Sequence, residues 1–146
     1  MSTLQSDQAK AFHHQKVMLR RIGYSDNAID LIQQRPNLRE MEHPTLCVTS
    51  ESECGDTLIL YALVRNGYFE EVTFQYIGCV GLLSSAAALT ILMQGKSVTS
   101  TYRLNEHDII HFLGYVPDSK YECVEFAISA LKNLLETCEN YLRQPG

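Results

Sequence analysis

The chain has 146 residues, 45% of them hydrophobic and 20% charged, with a formal net charge of −5. That length suits one domain burying roughly 68–70% of its unfolded surface. The acidic balance excludes nucleic acid as the main partner, because such binding needs a basic face and Arg20, Arg21, Arg35 and Arg39 are scattered.

The N-terminal stretch MSTLQSDQAKAF is polar and lacks the apolar core of an export signal. The segment Ile77–Met93 is the most apolar of the chain. It is shorter than the ~20 residues of a membrane span and carries Gly, Ser and Thr, so it reads as a buried helix rather than a membrane element. Five cysteines in such a chain imply a reducing, cytoplasmic setting where thiols stay free. An odd number fits a disulfide framework badly, which leaves packing, metal ligation or nucleophilic chemistry.

In chain order, residues 6–22 place Phe12, Val17, Leu19 and Ile22 at helical spacing, an N-terminal helical extension over residues 1–23. A second helix is signalled by Ser25 or Asp26 as a cap, with Ile29 and Ile32 on one side, and is stopped by Pro36. Residues 37–53 are polar and irregular, with Pro44 inside and a short edge strand around Leu46–Thr49. The clearest local element is a hairpin. Thr57–Arg65 and Tyr68–Ile77 are rich in β-branched, aromatic and aliphatic residues, and Asn66-Gly67 between them suits a type I′ turn, where both central residues need φ > 0.

A helix over roughly 80–94 follows, ended by Gly95 at the place of a left-handed cap. Residues 105–113 read as a short helix capped by Asn105 and ended by Gly114. The last helix, about 120–142, carries Val124, Ala127, Ile128, Leu131, Leu134, Leu135, Cys138 and Leu142 at helical spacing. The sum is an α+β domain, a small antiparallel three-stranded sheet with helices packed on one face.

Three cysteines fall at element ends: Cys54 in the turn entering the hairpin, Cys79 where the hairpin hands over to a helix, and Cys123 near the start of the last helix. Helix N-termini favour thiolate over thiol, and the thiolate is the form that binds metal. Gly78 and Gly81 flank Cys79, and Gly55 follows Cys54, as if backbone must approach something bulky. With Asp56 beside Cys54, a shared metal site is one reading. Spacing alone does not establish it, since there is no C-x-x-C pair. Cys47, near the edge strand, and Cys138, on the apolar stripe, read as packing residues. His107 and His111, four apart on one helix, lack a third partner.

The motifs Cys54-Gly-Asp56, Tyr76-Ile-Gly-Cys79 followed by Ser84-Ser85-Ala-Ala-Ala, Gly95-Lys96-Ser97, and Val116-Pro-Asp-Ser-Lys-Tyr-Glu-Cys123 together resemble the U-type iron–sulfur scaffold family of IscU, SufU and the N-terminal domain of NifU. The resemblance covers residues 24–142 with the motifs in the family's order, and the compact Cys54–Cys123 interval is that of the IscU and NifU branch. It implies the IscU/NifU-like fold and a scaffold, not an enzyme, that receives sulfur from a cysteine desulfurase. A transient [2Fe–2S] cluster would be assembled there and transferred to recipient apoproteins. Cys54, Cys79 and Cys123 would be its thiolate ligands, and Asp56 the harder oxygen donor that keeps it labile. Zinc suits the same three sulfurs and one oxygen.

The chain departs from the family at three places, the smallest being Val80, where NifU-like sequences carry the glycine after Cys79 and this chain has Gly81 one place later. Glu122 stands where the IscU and NifU branches usually carry histidine. It reads either as a second carboxylate at the site or, in Ser119-Lys-Tyr-Glu122, as half of a capping box. The family's Leu-Pro-Pro-Val-Lys segment, read by an Hsp70-type chaperone, corresponds to Val116-Pro117-Asp118-Ser119-Lys120. Its second proline is gone, which puts that partnership in doubt. Two alternatives stay open: an adaptor paralogue that docks on the assembly machinery without a cluster, and a cysteine-dependent hydrolase or transferase built on the strand–Cys79–helix junction. The latter lacks the G-x-C-x-G pattern and a placed histidine base.

Overall fold

A computed structural model describes the backbone of residues 3–143 and the side chains of 6–141, so the Leu142 side chain of the expected stripe lies outside the described residues. Helix α1 runs Thr3–Ile22 and α2 Asp26–Gln34. Ser25 holds the junction: its Oγ accepts from the Ala28 N–H at 3.0 Å and donates to the Leu113 carbonyl at 2.5 Å. This side chain therefore caps α2 and ties it to a helix 88 residues away. At the other end Arg35 adopts φ 52° and donates its N–H to the Leu31 carbonyl. Pro36 disfavours a further right-handed turn at the residue before it, which is why the helix stops there.

Strands β1 (Leu46–Glu51), β2 (Thr57–Arg65) and β3 (Tyr68–Ile77) form an antiparallel sheet in sequence order. Asn66 and Gly67 both have positive φ, 52° and 80°, as the hairpin turn requires. The register slips between Leu63 and Val64, where an extra residue of β3 is accommodated. Phe69 on one side of the slip and Val72 and Phe74 on the other are all fully buried, so the bulge keeps an irregular apolar pattern on one face. The outer edge of β3 is covered by residues 37–39, through Phe74 N–H to Asn37 O (2.9 Å) and Arg39 N–H to Phe74 O (3.0 Å). That covering removes an exposed pairing edge.

Cys47 corrects a sequence expectation: it is exposed, not packed. Its neighbours Leu46 and Ser50 are buried, and in a strand successive side chains point to opposite faces, so Cys47 falls on the outer face opposite Tyr61. Cys138 is buried as expected.

Helix α3 (Val80–Met93) is buried almost all round, from Gly81 to Thr90 and again at Met93. It packs against α2, β3, α5 and α6. Ala86, Ala87 and Ala88 let these neighbours approach, and the Ser84 and Thr90 hydroxyls are satisfied by the carbonyls of Gly81 and Ala87. The short helix α4 (Val98–Thr101), capped by Ser97, has no counterpart in the sequence reading. α5 (Glu106–Leu113) opens on a capping box between Asn105 and Asp108 and stops at Gly114, φ 93°. A one-turn 3-10 helix (Asp118–Lys120) leads into α6 (Tyr121–Arg143). Its buried stripe, Val124, Ala127, Ile128, Leu131, Leu134, Leu135 and Cys138, packs on β1, β2 and α3. Among the described residues no helix is long and apolar enough to cross a membrane.

Candidate functional site

Three chain segments meet at one end of the sheet. The β1–β2 turn is closed by Ser52 N–H to Asp56 O (2.9 Å), Gly55 N–H to Ser52 O (3.1 Å) and Asp56 N–H to Ser52 Oγ (3.0 Å). Gly55 supplies the positive φ (90°) that lets the turn close. Thr57 pairs with Ile77, so Asp56 is brought against the residue where β3 ends. A side-chain carbon on Gly78 would stand 3.1 Å from Asp56 Oδ1 and 3.0 Å from Leu82 Cδ2. Glycine there is a requirement of close approach by the carboxylate.

Cys79 is the N-cap of α3 and Cys123 lies in the first turn of α6. Their sulfurs are 3.6 Å apart. Two thiolates held by one tetrahedral ion, each about 2.3 Å from it, stand about 3.8 Å apart, so this pair has the spacing of ligands to a single metal. Cys54, Asp56, Cys79 and Cys123 line one cavity of about 190 Å³, together with Ser52, Ser119, Lys120, Glu122 and Phe126. All four residues singled out in the sequence therefore face the same space. A groove of about 250 Å³ at Tyr102, Leu104, Leu131 and Leu135 holds neither thiol nor imidazole.

The convergence is incomplete. Among the described residues no three His, Cys, Asp or Glu side chains close on one point tightly enough to grip an ion as they stand. The Cys79–Cys123 pair is set, whereas Cys54 sits exposed on its loop at the cavity. His107 and His111 are both exposed on α5 and have no such partner.

The two paired thiols differ electrostatically. Burial works against ionisation of Cys79. It is outweighed by the backbone N–H groups of Leu82 and Gly81, by the Cys123 thiol and by the Lys120 ammonium, and the pKa falls below the ordinary 9.0. Cys123 is pushed up to about 12 by burial first, then by its hydrogen bond to Cys79 and the negative charges of Cys79 and Asp56. Of the two, Cys79 is the more readily ionised.

Gly78 and Gly81 flank Cys79 for a reason different from the one sequence suggested. The space at Gly81 is filled by the site's own side chains: a carbon added there would meet Tyr24 Oη at 3.0 Å, Lys120 Cδ at 3.1 Å and Cys123 Sγ at 3.2 Å. Tyr24 and Lys120 were not singled out by sequence, and only the tertiary contact reveals them. Glu122 is exposed at the cavity. Ser119 lies within the 3-10 turn, which starts at Pro117 without a side-chain cap bond, and no capping-box hydrogen bond links Ser119 and Glu122 among the described residues.

The model of the NifU-like N terminal domain matches residues 23–145, and the chain belongs to that family. It is 25% identical over 124 residues to the iron–sulfur cluster assembly scaffold protein IscU 1 of Archaeoglobus fulgidus, covering 84% of this chain and 79% of that protein. It is 26% identical over 118 residues to the nitrogen fixation protein NifU of a Nostoc strain, covering 75% of this chain and 39% of that protein. Among solved structures, a putative iron–sulfur cluster assembly scaffold for the SUF system from Fervidobacterium islandicum superposes with a TM-score of 0.64 at 18% identity, covering 77% of this chain and 96% of that one. The N-terminal part of a NifU-like protein from Brucella abortus gives 0.62 at 16% identity, covering 79% and 93%. At these identities the structures share the fold.

Proposed function

We propose that this chain is a scaffold on which a [2Fe–2S] cluster is built and from which it passes to recipient apoproteins. Cys54, Cys79 and Cys123 supply thiolates, Asp56 the oxygen donor, and Glu122 a second carboxylate at the rim. The observation that carries the reading is the 3.6 Å separation of Cys79 and Cys123 sulfurs inside a cavity that Cys54 and Asp56 also line. Membership in a family whose named relatives are assembly scaffolds supports it.

Sulfur delivery follows from thiol chemistry. A scaffold thiolate attacks the terminal sulfur of a persulfide on a cysteine desulfurase. One S–S bond forms on the scaffold, one breaks on the donor, and the donor cysteine leaves as thiolate with no net change of redox state. Conversion of that sulfur to sulfide takes two electrons from an external thiol or ferredoxin-type reductant. Thiolates suit iron and zinc alike, while the carboxylate oxygen is a harder donor that binds them less firmly than a fourth sulfur would. The same set would hold zinc between rounds.

The test is anaerobic reconstitution with ferrous iron, sulfide and dithiothreitol. Expected is a coloured protein with equal iron and sulfide, and loss of both in Cys54→Ser, Cys79→Ser and Cys123→Ser. Failure of the native chain to take up iron would overturn the reading, and tight desulfurase binding without metal uptake would make it an adaptor.

A further inference from the structure

Tyr24 sits at the turn between α1 and α2, and its side chain is 2% exposed. Its Oη is one of two buried side-chain polar atoms with no hydrogen-bond partner among the described residues, the other being Thr73 Oγ1 in the sheet. A buried hydroxyl without a partner costs roughly 1–3 kcal/mol, so its place in the fold calls for a cause. The place is specific: Tyr24 Oη and Cys123 Sγ both lie within 3.2 Å of the point where a Gly81 side chain would begin.

We propose that Tyr24 is a positioning residue for the loaded site, its hydroxyl donating a hydrogen bond to the sulfur atoms that become permanently anionic once metal or cluster is bound. In the metal-free protein the phenol has no hydrogen-bond partner among the described residues. A metal-bound thiolate is a charged acceptor, so the cost of the orphaned hydroxyl is relieved only on loading. Hydrogen bonds to ligand sulfurs are also a means by which a protein sets cluster potential. The backbone fixes the donor: Ser25, the next residue, is locked between Ala28 and Leu113, and the missing side chain at Gly81 leaves the hydroxyl and the Cys123 sulfur bordering one shared space.

This inference rests on the metal-site reading, and the experiment separates the two. The full chain and its Tyr24→Phe variant are titrated with Co²⁺ alone, following the thiolate-to-cobalt charge-transfer band, and melted with and without the ion. Native protein should bind Co²⁺. The variant should bind at least roughly fivefold more weakly with a shifted charge-transfer energy, while its metal-free form melts at the same or a higher temperature because the unpaired hydroxyl is gone. That reversal of sign between empty and loaded states is something a packing role does not produce. If native protein shows no Co²⁺ band, the metal-site reading fails. If native and variant agree within about twofold with identical spectra, or if the variant is destabilised equally in both states, Tyr24 has no role toward the ligands and the metal site stands without it.

Discussion

A carbon placed on Gly81 would stand 3.2 Å from Cys123 Sγ, although the two residues belong to different helices. α3 and α6 therefore touch at this glycine, and the contact sets where the Cys123 sulfur lies relative to Cys79. Gly81→Ala divides two effects that usually go together. Alanine favours a helix over glycine by about 0.8–1.0 kcal/mol, which offsets the cost of displacing Tyr24 Oη, Lys120 Cδ and Cys123 Sγ by the few tenths of an ångström the new carbon demands. Thermal stability should change little. Co²⁺ or Zn²⁺ affinity should fall by about tenfold or more, since ligand misplacement is costly in metal sites. Circular dichroism and metal titration on the same sample check both.

The five cysteines should separate into two classes. Serine at 54, 79 or 123 should sharply lower bound metal with small effects on melting. Cys47→Ser, on the outer face of the sheet, should alter stability by no more than ~0.5 kcal/mol. Cys138→Ser buries a hydroxyl in the α6 stripe and should cost ~1–3 kcal/mol with metal stoichiometry retained. Elemental analysis beside denaturant unfolding would distinguish the classes.

Cys123 gives the metal-free protein a pH dependence of known sign. Its pKa is raised in the folded state from 9.0 to about 12, so above pH 9 the unfolded chain gives up this proton before the folded one does. The contribution to stability is present in full below pH 9 and is lost as pH rises toward 12. The lowered pKa of Cys79 works in the opposite sense, its contribution being present above 9.0 and lost as pH falls through its folded value. Urea midpoints should fall across pH 9 to 12 in native protein and fall less in Cys123→Ala. Metal must displace the same proton, so metal affinity should rise with pH below that range, with proton release measurable in weakly buffered solution.

Glu122 offers a direct test of the departure from the family pattern. It lines the cavity and makes no capping-box hydrogen bond with Ser119 among the described residues, so Glu122→His should leave the melting temperature within a degree or two (~0.5 kcal/mol or less) and tighten Zn²⁺ binding by supplying an imidazole donor. A marked loss of stability would show that Glu122 holds the start of α6 after all.

Ser25→Ala should be the costliest of the conservative changes away from the cavity. It removes the acceptor for the Ala28 N–H and leaves the Leu113 carbonyl without its donor. The expected loss is ~1–3 kcal/mol, readable as a shifted denaturant midpoint. Because Ser25 adjoins Tyr24, metal binding should weaken along with it.

The sequence by itself determined most of the elements and singled out the candidate site residues. Asn66-Gly67 dictated the hairpin, Asn105 and Gly114 bounded α5, and Cys54, Cys79 and Cys123 stood out as thiols at element ends, with Asp56 close beside Cys54. Local signals of this kind are written in short stretches of chain, where turn conformations and caps admit few residue types. Tertiary structure alone decided the rest. Which face of β1 carries Cys47 depended on register against β2, and the presence of Glu122 at the cavity depended on where α6 begins. Tyr24 and Lys120 joined the site because α2, α3 and α6 pack together, and no local pattern in the chain encodes which side chains from distant segments will share one cavity.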